Sequence, residues 1–273
     1  MGFRDRGVEI KTPEQIAVMR RAGLLVGETL ELLRSSVRPG ITTGELDAIA
    51  ENNIRSKGGV PSFKGYSTPP FPASICASVN DQVVHGIPGD RVLAEGDIIS
   101  IDCGAIVDGW HGDAAITVAV GEVPRRWPPD GGHRGVDVAR HRRTRLGGRV
   151  TDISHAIESY VRSKGSYGIL EDYTGHGIGS QMHMAPQRPQ LRSPRRGPKL
   201  VRGMALAVEP MVALGSQDTY TEDDDWTVSM SDGRWAAHYE HTFTLTPTGA
   251  WVLTALDGGE ARLAELGVPF GGA

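Results

Sequence analysis

Residues 98–118 read IISIDCGAIVDGWHGDAAITV, and they are the most informative part of the chain. Two apolar runs rich in β-branched residues flank the pair Asp108-Gly109, a pattern typical of two antiparallel strands joined by a tight turn. Asp102 and Asp113 fall within these two strands. A turn at Asp108-Gly109 leaves both carboxylates on one face of the hairpin, whereas a turn one residue earlier places them directly opposite each other.

In either register the two carboxylates come within reach of one ion. Like charges repel at this separation, and bare carboxylates are costly among apolar neighbours, unless a cation offsets both effects. The hairpin therefore predicts a metal site. The alternative is a solvated hairpin in which the two acids meet by coincidence.

Other stretches offer further ligands in apolar surroundings. Together with Asp102 and Asp113, these candidates make four carboxylates and one imidazole, a set that suits a pair of hard or borderline divalent ions better than a closed structural zinc. Taken singly, each could be structural: a core histidine, an acid at a strand end and a solvated acid. These candidates are His176 in the sequence TGHGIG (174–179), Glu209 in VEPM (208–211) and Glu240 in YEHT (239–242).

Composition limits the class of protein. The 273 residues carry a formal net charge of −4, with 39% hydrophobic and 23% charged residues, which indicates one large or two small globular domains. No run approaches the roughly 20 apolar residues that a bilayer requires, and the polar start has no apolar core like a secretory signal. We therefore expect a cytoplasmic protein without membrane contact. The acidic balance predicts no specific nucleic-acid partner, and Cys76 and Cys103 are expected to be buried reduced thiols.

Two helices are predicted near the start of the chain. The first runs from Thr12 to about residue 35, with a Thr-Pro-Glu-Gln start typical of a capping box and a Pro39-Gly40 stop. The second runs from Thr43 to about Gly58. Strands are predicted between and after the helical segments, at residues 74–79, 83–85, 98–105, 111–120, 205–214, 227–230 and 238–246.

Part of the helical pattern returns about a hundred residues later. Residues 38–58 and 146–165 share caps, apolar spacing and a closing Arg-Ser-Lys-Gly. We infer a duplicated unit with pseudo-two-fold symmetry, although a chance match is the alternative. The prediction is an α+β fold with a sheet covered on one side by helices, forming a single catalytic domain (1–273) with halves at about 9–125 and 146–256.

Residues 124–145 do not fit this repeat. They are rich in Arg, Pro, Gly and His where an amphipathic helix is expected. When one synonymous codon choice for residues 129–143 is read in a frame that starts one base later, it encodes LMEVTEESMWHGIAA. The same one-base shift for residues 187–194 encodes NAPNYGRP. We hypothesise that 124–145 and 187–196 are frame-shifted; the alternative is an ordinary basic loop. A scrambled helix would leave a correct site in a chain that folds poorly.

The combined motifs resemble the type I methionine aminopeptidases, which have the pita-bread fold, over about residues 9–256. The likeness is carried by His85-Gly-Ile-Pro, the two hairpin aspartates, GHGIG followed by His183, VEPM and YEHT. The resemblance implies two divalent metal ions, of Co, Mn, Fe or Zn. Asp102 would bind one ion, His176 and Glu209 the other, with Asp113 and Glu240 bridging both.

The same resemblance implies roles around the ions. Glu209 would move a proton from the activated water to the leaving amine, and His183 would bind the substrate carbonyl. His85 would bind the scissile amide nitrogen, although without the resemblance the sequence favours a turn residue at this position. The wall of a methionine pocket would be Tyr66, Phe71, Cys76, Met182 and Trp226, with ordinary core packing as the alternative for each. His111 and His238 could lie near the site on neighbouring strands, but the sequence favours surface roles for both.

The implied activity is removal of the initiator methionine from nascent polypeptide N-termini with a small second residue. The ribosome surface is a candidate partner, and a monomer is expected. A prolidase-type peptidase of the same fold is the alternative enzyme. A non-catalytic protein that binds a partner is the alternative from another class, although retention of all five predicted ligands favours the enzyme.

Overall fold

A computed structural model describes residues 7–123, 146–170, 175–186 and 197–272 of the chain. The two stretches predicted to be frame-shifted, 124–145 and 187–196, lie outside the described residues. Helices are α1 (Pro13–Ser36), α2 (Thr43–Ser56), α3 (Val150–Lys164) and α4 (Glu260–Glu265). Among the helices of the described ranges, none has the length and apolar content needed to cross a lipid bilayer.

The first two helices confirm the predicted capping signals. Thr12 accepts a hydrogen bond from the Gln15 amide while the Gln15 side chain accepts one from the Thr12 amide, and Thr42 and Glu45 make the same reciprocal pair. Each pair satisfies two backbone donors that a helix start leaves open. The predicted counterpart of α2 is also a helix, α3, and the chain leaves it at Gly165.

The strands of the described residues are β1 (Val60–Pro61), β2 (Ile75–Val79), β3 (Gln82–Val84), β4 (Ile98–Val107), β5 (Trp110–Ala119), β6 (Gly168–Ile169), β7 (His176–Gly177), β8 (Ala205–Val208), β9 (Met211–Ala213), β10 (Thr219–Thr221), β11 (Val228–Met230), β12 (Ala236–His238), β13 (Glu240–Leu245) and β14 (Ala250–Val252). They form one large antiparallel sheet and two small ones. The large sheet has the order β1-β4-β5-β13-β8-β7, with β2 also paired to β4 and β14 to β13; the small sheets are β10-β11-β3 and β12-β9-β6.

Each half of the chain has its own apolar core. In the first half, buried residues of α1 and α2 such as Leu30 and Leu46 pack against β2, β4 and β5. In the second half, Ile153 and Ile157 of α3 pack with β8, β13 and β14, and Leu263 of α4 joins them beyond residue 256. Both cores lie between helices and the large sheet, which is the predicted layer arrangement.

Two predicted strands are broken, which corrects the continuous runs 205–214 and 238–246. The first run breaks at Glu209-Pro210 and the second at Tyr239, and the two breaks are adjacent because the Tyr239 amide donates to the Pro210 carbonyl. Proline has no N–H for a strand ladder, so Pro210 cannot continue the pairing. In the large sheet, β8 pairs with β13. Beyond the two breaks, the neighbouring segments β9 and β12 pair with each other in a small sheet, so Glu209 and Glu240 lie where the chain passes from one sheet to the other.

Candidate active site

The hairpin β4–β5 turns at Asp108 and Gly109, which have positive φ angles of 48° and 80°. Asp102 is therefore opposite Ala115, and Asp113 is opposite Gly104. This is the predicted register in which the two carboxylates share one face, diagonally placed. Both side chains border a single cavity of about 230 Å³.

The second half brings its candidate ligands to the same cavity. His176 Nε2 lies 3.6 Å from Glu209 Oε1 and 4.0 Å from Asp113 Oδ2. Ligand atoms of Asp113, His176 and Glu240 all lie within 4.8 Å of one another. Asp102 also borders the cavity. Within the described residues, however, its oxygen atoms do not belong to any group of three or more ligand-type atoms that all lie within 4.8 Å of one another.

His238 is a site residue that sequence reasoning missed. It was predicted to have a surface role, but it is 2% exposed and its Nε2 lies 3.9 Å from Glu209 Oε2 and 3.7 Å from Glu240 Oε2. These three residues form a second group of ligand-type atoms within 4.8 Å. The available signal was spacing, because residues two apart on a strand face the same side and His238 precedes Glu240 by two.

Burial controls the protonation of the cluster. It raises the pKa of Asp102, and it raises the pKa of Asp113 with a further contribution from the negative charges of Asp102 and Glu209. Burial, reinforced by the charge of Asp102, also raises the pKa of Glu209. For His176, burial lowers the pKa to about 3, so its imidazole is neutral near pH 7. The protein alone therefore disfavours the ionised carboxylates that it gathers here.

The residues fit a divalent cation. The Oδ1 atoms of Asp102 and Asp113 are buried and have no hydrogen-bond partner among the described residues. The His176 Nδ1 atom lies 3.0 Å from the Gly177 carbonyl, so Nδ1–H donates there and the Nε2 lone pair faces the carboxylates. A cation among these oxygens and this nitrogen would offset the mutual repulsion and satisfy the open oxygens.

The predicted pocket residues also border the cavity. Phe71, Cys76 and Met182 belong to one buried apolar cluster, and the Trp226 ring meets Phe71 edge-on at 5.1 Å between ring centroids. Cys76 is a free thiol, as predicted. The sequence analysis did not identify four further lining residues: Phe63, Ser67, Val84 and Met211. Of these, Met211 ends the VEPM motif.

His85 and His183 complete the lining. The Nδ1 atom of His183 lies 2.8 Å from the Tyr66 hydroxyl, and its ring centroid is 4.3 Å from that of His176. His85 has a positive φ of 58° and meets the Trp226 ring edge-on at 5.9 Å. Burial, with a smaller effect of His183, lowers the pKa of His85 to about 4. Both imidazoles are thus available as neutral donors.

Comparison with known proteins agrees with this site. A family model described as metallopeptidase family M24 matches residues 17–247. A methionine aminopeptidase of Clostridium acetobutylicum is 49% identical over 252 residues, covering 90% of this chain and 98% of that relative. The chain belongs to metallopeptidase family M24. It is accordingly a metal-dependent hydrolase, as predicted.

Solved structures agree on the fold. The methionine aminopeptidase of Thermotoga maritima matches with a TM-score of 0.86 and 38% identity, over 91% of this chain and 99% of that chain. A prolidase from Pyrococcus furiosus matches with a TM-score of 0.70 and 20% identity, over 90% of this chain and 65% of that chain. The predicted α+β pita-bread fold and the resemblance to methionine aminopeptidases are confirmed. The prolidase alternative has a likeness of fold alone.

Proposed function

We propose that this M24 peptidase removes the initiator methionine from polypeptides whose second residue is small. The observation that carries the proposal is a single cavity with carboxylates and imidazoles on one part of its wall and aromatic and sulfur side chains on another. At about 230 Å³ it is smaller than the ~300–1,000 Å³ of drug-sized ligand sites. It suits one unbranched side chain, and thioethers pack well against aromatic rings and other sulfur atoms.

Two divalent ions would be held by the clustered side chains, with Asp102, Asp113, His176, Glu209 and Glu240 as their ligands. Such ions act as Lewis acids that polarise a carbonyl and make water nucleophilic near neutral pH. Mixed oxygen and nitrogen ligands accept Mn, Fe, Co or Zn. The buried, unsatisfied oxygens of Asp102 and Asp113 support this assignment.

Protein side chains would carry out the proton transfer and bind the substrate. Glu209 would accept a proton from the attacking water and deliver it to the leaving amine as the C–N bond breaks. Because the Tyr66 hydroxyl can donate to His183 Nδ1, the ring keeps its proton on Nε2 and can donate to the substrate carbonyl oxygen. His85 would bind the scissile amide nitrogen.

The physiological setting follows from the substrate. Initiator methionine is exposed on new chains, so we infer that the enzyme works in the cytoplasm on nascent N-termini, near the ribosome surface. We also infer that it acts as a monomer.

The test measures release of free methionine from Met-Gly-Met-Met, and compares Met-Ala-Ser with X-Pro dipeptides. Release should require a divalent metal, and Asp113→Asn should abolish it. Asp108→Asn is the matched control, because it makes the same change in the same hairpin at a surface residue paired with Arg21. Metal-independent release would refute the mechanism, and preferential cleavage of X-Pro would favour the prolidase alternative.

A further inference from the structure

A short loop carries two of the cavity residues. Residues 178–183 connect Gly177 to Met184, and these two residues exchange backbone hydrogen bonds of 3.0 Å and 2.9 Å. Met182 and His183, which border the cavity, directly precede Met184. Any movement of the loop therefore moves a pocket wall and the imidazole that would bind the substrate carbonyl.

Lys11 is a buried cation outside the cavity that contacts the end of this loop. Its side chain is 1% exposed. Its ammonium group meets three acceptors: the Glu9 carbonyl at 3.2 Å, Glu9 Oε1 at 3.4 Å and Met184 Sδ at 3.9 Å. Burial lowers the pKa of Lys11, and the Glu9 charge opposes this effect. A buried ammonium is costly, so its position beside the loop calls for an explanation.

Glu9 contacts the beginning of the same loop. Its carboxylate accepts hydrogen bonds from the Ser180 hydroxyl and from the Ser180 amide, the latter at 3.4 Å. Gly179 is packed so closely that an added Cβ would lie 2.4 Å from Glu9 Oε1 and 2.4 Å from Lys11 Cε. Both ends of the loop are therefore held by one pair of charged side chains from the chain's N-terminal region.

We propose that Lys11 and Glu9 are positioning residues that hold His183 and Met182 in register with the site. The proposal rests on the proposed function for its catalytic consequence, although the contacts stand without it. Neither residue borders the cavity. They act through Ser180 and Met184, which lie on either side of Met182 and His183 in the chain. Displacement of a substrate-binding group by about 1 Å can cost up to ~100-fold in rate.

The test compares Lys11→Met with Lys57→Met in the full-length, metal-loaded protein. Lys57 is the matched control, because its 2.6 Å pair with Glu28 lies at the surface. We expect Lys11→Met to lower kcat about tenfold, with a smaller change in KM. Amide hydrogen exchange in a peptide spanning 178–186 should become faster while exchange in α1 stays unchanged. Lys57→Met should alter neither measurement.

Unchanged exchange in 178–186 would overturn the proposal, and so would faster exchange with unchanged kcat. Should Lys11→Met fail to fold, Ser180→Ala replaces it, because it removes only one hydroxyl at the exposed side of the loop; a smaller effect in the same direction is expected. If the wild-type protein releases no methionine, the proposed function fails, and the exchange data still decide whether Lys11 and Glu9 hold the loop.

Discussion

Arg20 links the first helix to the last strand of the large sheet. Its guanidinium donates to the carbonyls of Leu253 at 2.7 Å, Ala255 at 2.5 Å and Leu256 at 2.8 Å. It also lies 5.8 Å from the centre of the Trp251 ring. We predict that Arg20→Met destabilises the protein by breaking these hydrogen bonds together with a longer one to the Val252 carbonyl at 3.5 Å. Methionine keeps the apolar stem and has nearly the same helix propensity, so helix formation itself should not change.

The magnitude follows from burial. Hydrogen bonds to a charged donor contribute about 1.5–3 kcal/mol each. The bonds to Leu253 and Ala255 are partly buried, whereas the Leu256 carbonyl is exposed and water can replace its partner. Water has partial access to the Leu253 and Ala255 carbonyls as well, which reduces the free energy lost with these two bonds. We therefore expect Arg20→Met to lower the free energy of unfolding by about 3 kcal/mol, out of a total of ~5–15 kcal/mol.

Equilibrium urea unfolding measures this loss, and Arg21→Met is the control. Arg21 is the next residue of α1 and pairs with Asp108 at 2.7 Å, but their side chains are 57% and 67% exposed. Exposed pairs contribute ~0–1 kcal/mol, so the control should stay near the wild type. Equal losses for the two variants, or a loss for Arg20→Met below ~0.5 kcal/mol, would refute the reasoning, because surface substitutions commonly stay within that range.

Removing divalent metal with a chelator should abolish methionine release and lower the unfolding temperature more at pH 8 than at pH 5. Burial raises the folded pKa of Asp102 to about 7 and also raises those of Asp113 and Glu209, so the metal-free fold is stabilised while these groups are protonated and loses that stability as pH rises from 5 to 8; calorimetry showing the opposite trend would contradict this. Met182→Ala should raise kcat/KM for substrates with a bulky first residue relative to kcat/KM for methionyl substrates, because the substitution removes side-chain volume from a buried wall of the cavity. An unchanged ratio would show that Met182 does not limit the size of the first residue. Replacing residues 129–143 with LMEVTEESMWHGIAA should raise the unfolding temperature by restoring an apolar helix face; resequencing that finds an intact single frame, or no gain in stability, would end that hypothesis.

Local signals allowed most of the helical structure to be predicted. The reciprocal bonds of Thr12 with Gln15 and of Thr42 with Glu45 depend only on residues three apart, so the sequence indicates these helix starts directly. The hairpin register could be narrowed only to two choices, because an Asp-Gly pair can occupy different turn positions. The structure takes the turn at Asp108-Gly109, in which both residues have the positive φ angles that an Asp-Gly pair favours, so the local pair already indicates the observed register.

The errors arose where tertiary contacts overrule local pattern. Pro210 was a visible sign of a strand end, but the matching break at Tyr239 depends on its pairing with Pro210 across the sheet. For His238 a surface role was favoured over a place near the site, because its two-residue spacing from Glu240 was not used. Its position beside Glu209 and Glu240 results from two strands leaving the large sheet together.

Asp102 and Asp113 belong to the first half of the chain, while His176, Glu209 and Glu240 belong to the second. On the proposed assignment, a copy still being synthesised cannot cleave anything until Glu240 has emerged from the exit tunnel. The enzyme would therefore be inactive while its own ligand set is incomplete, and a truncated product that lacks Glu240 would be inactive as well.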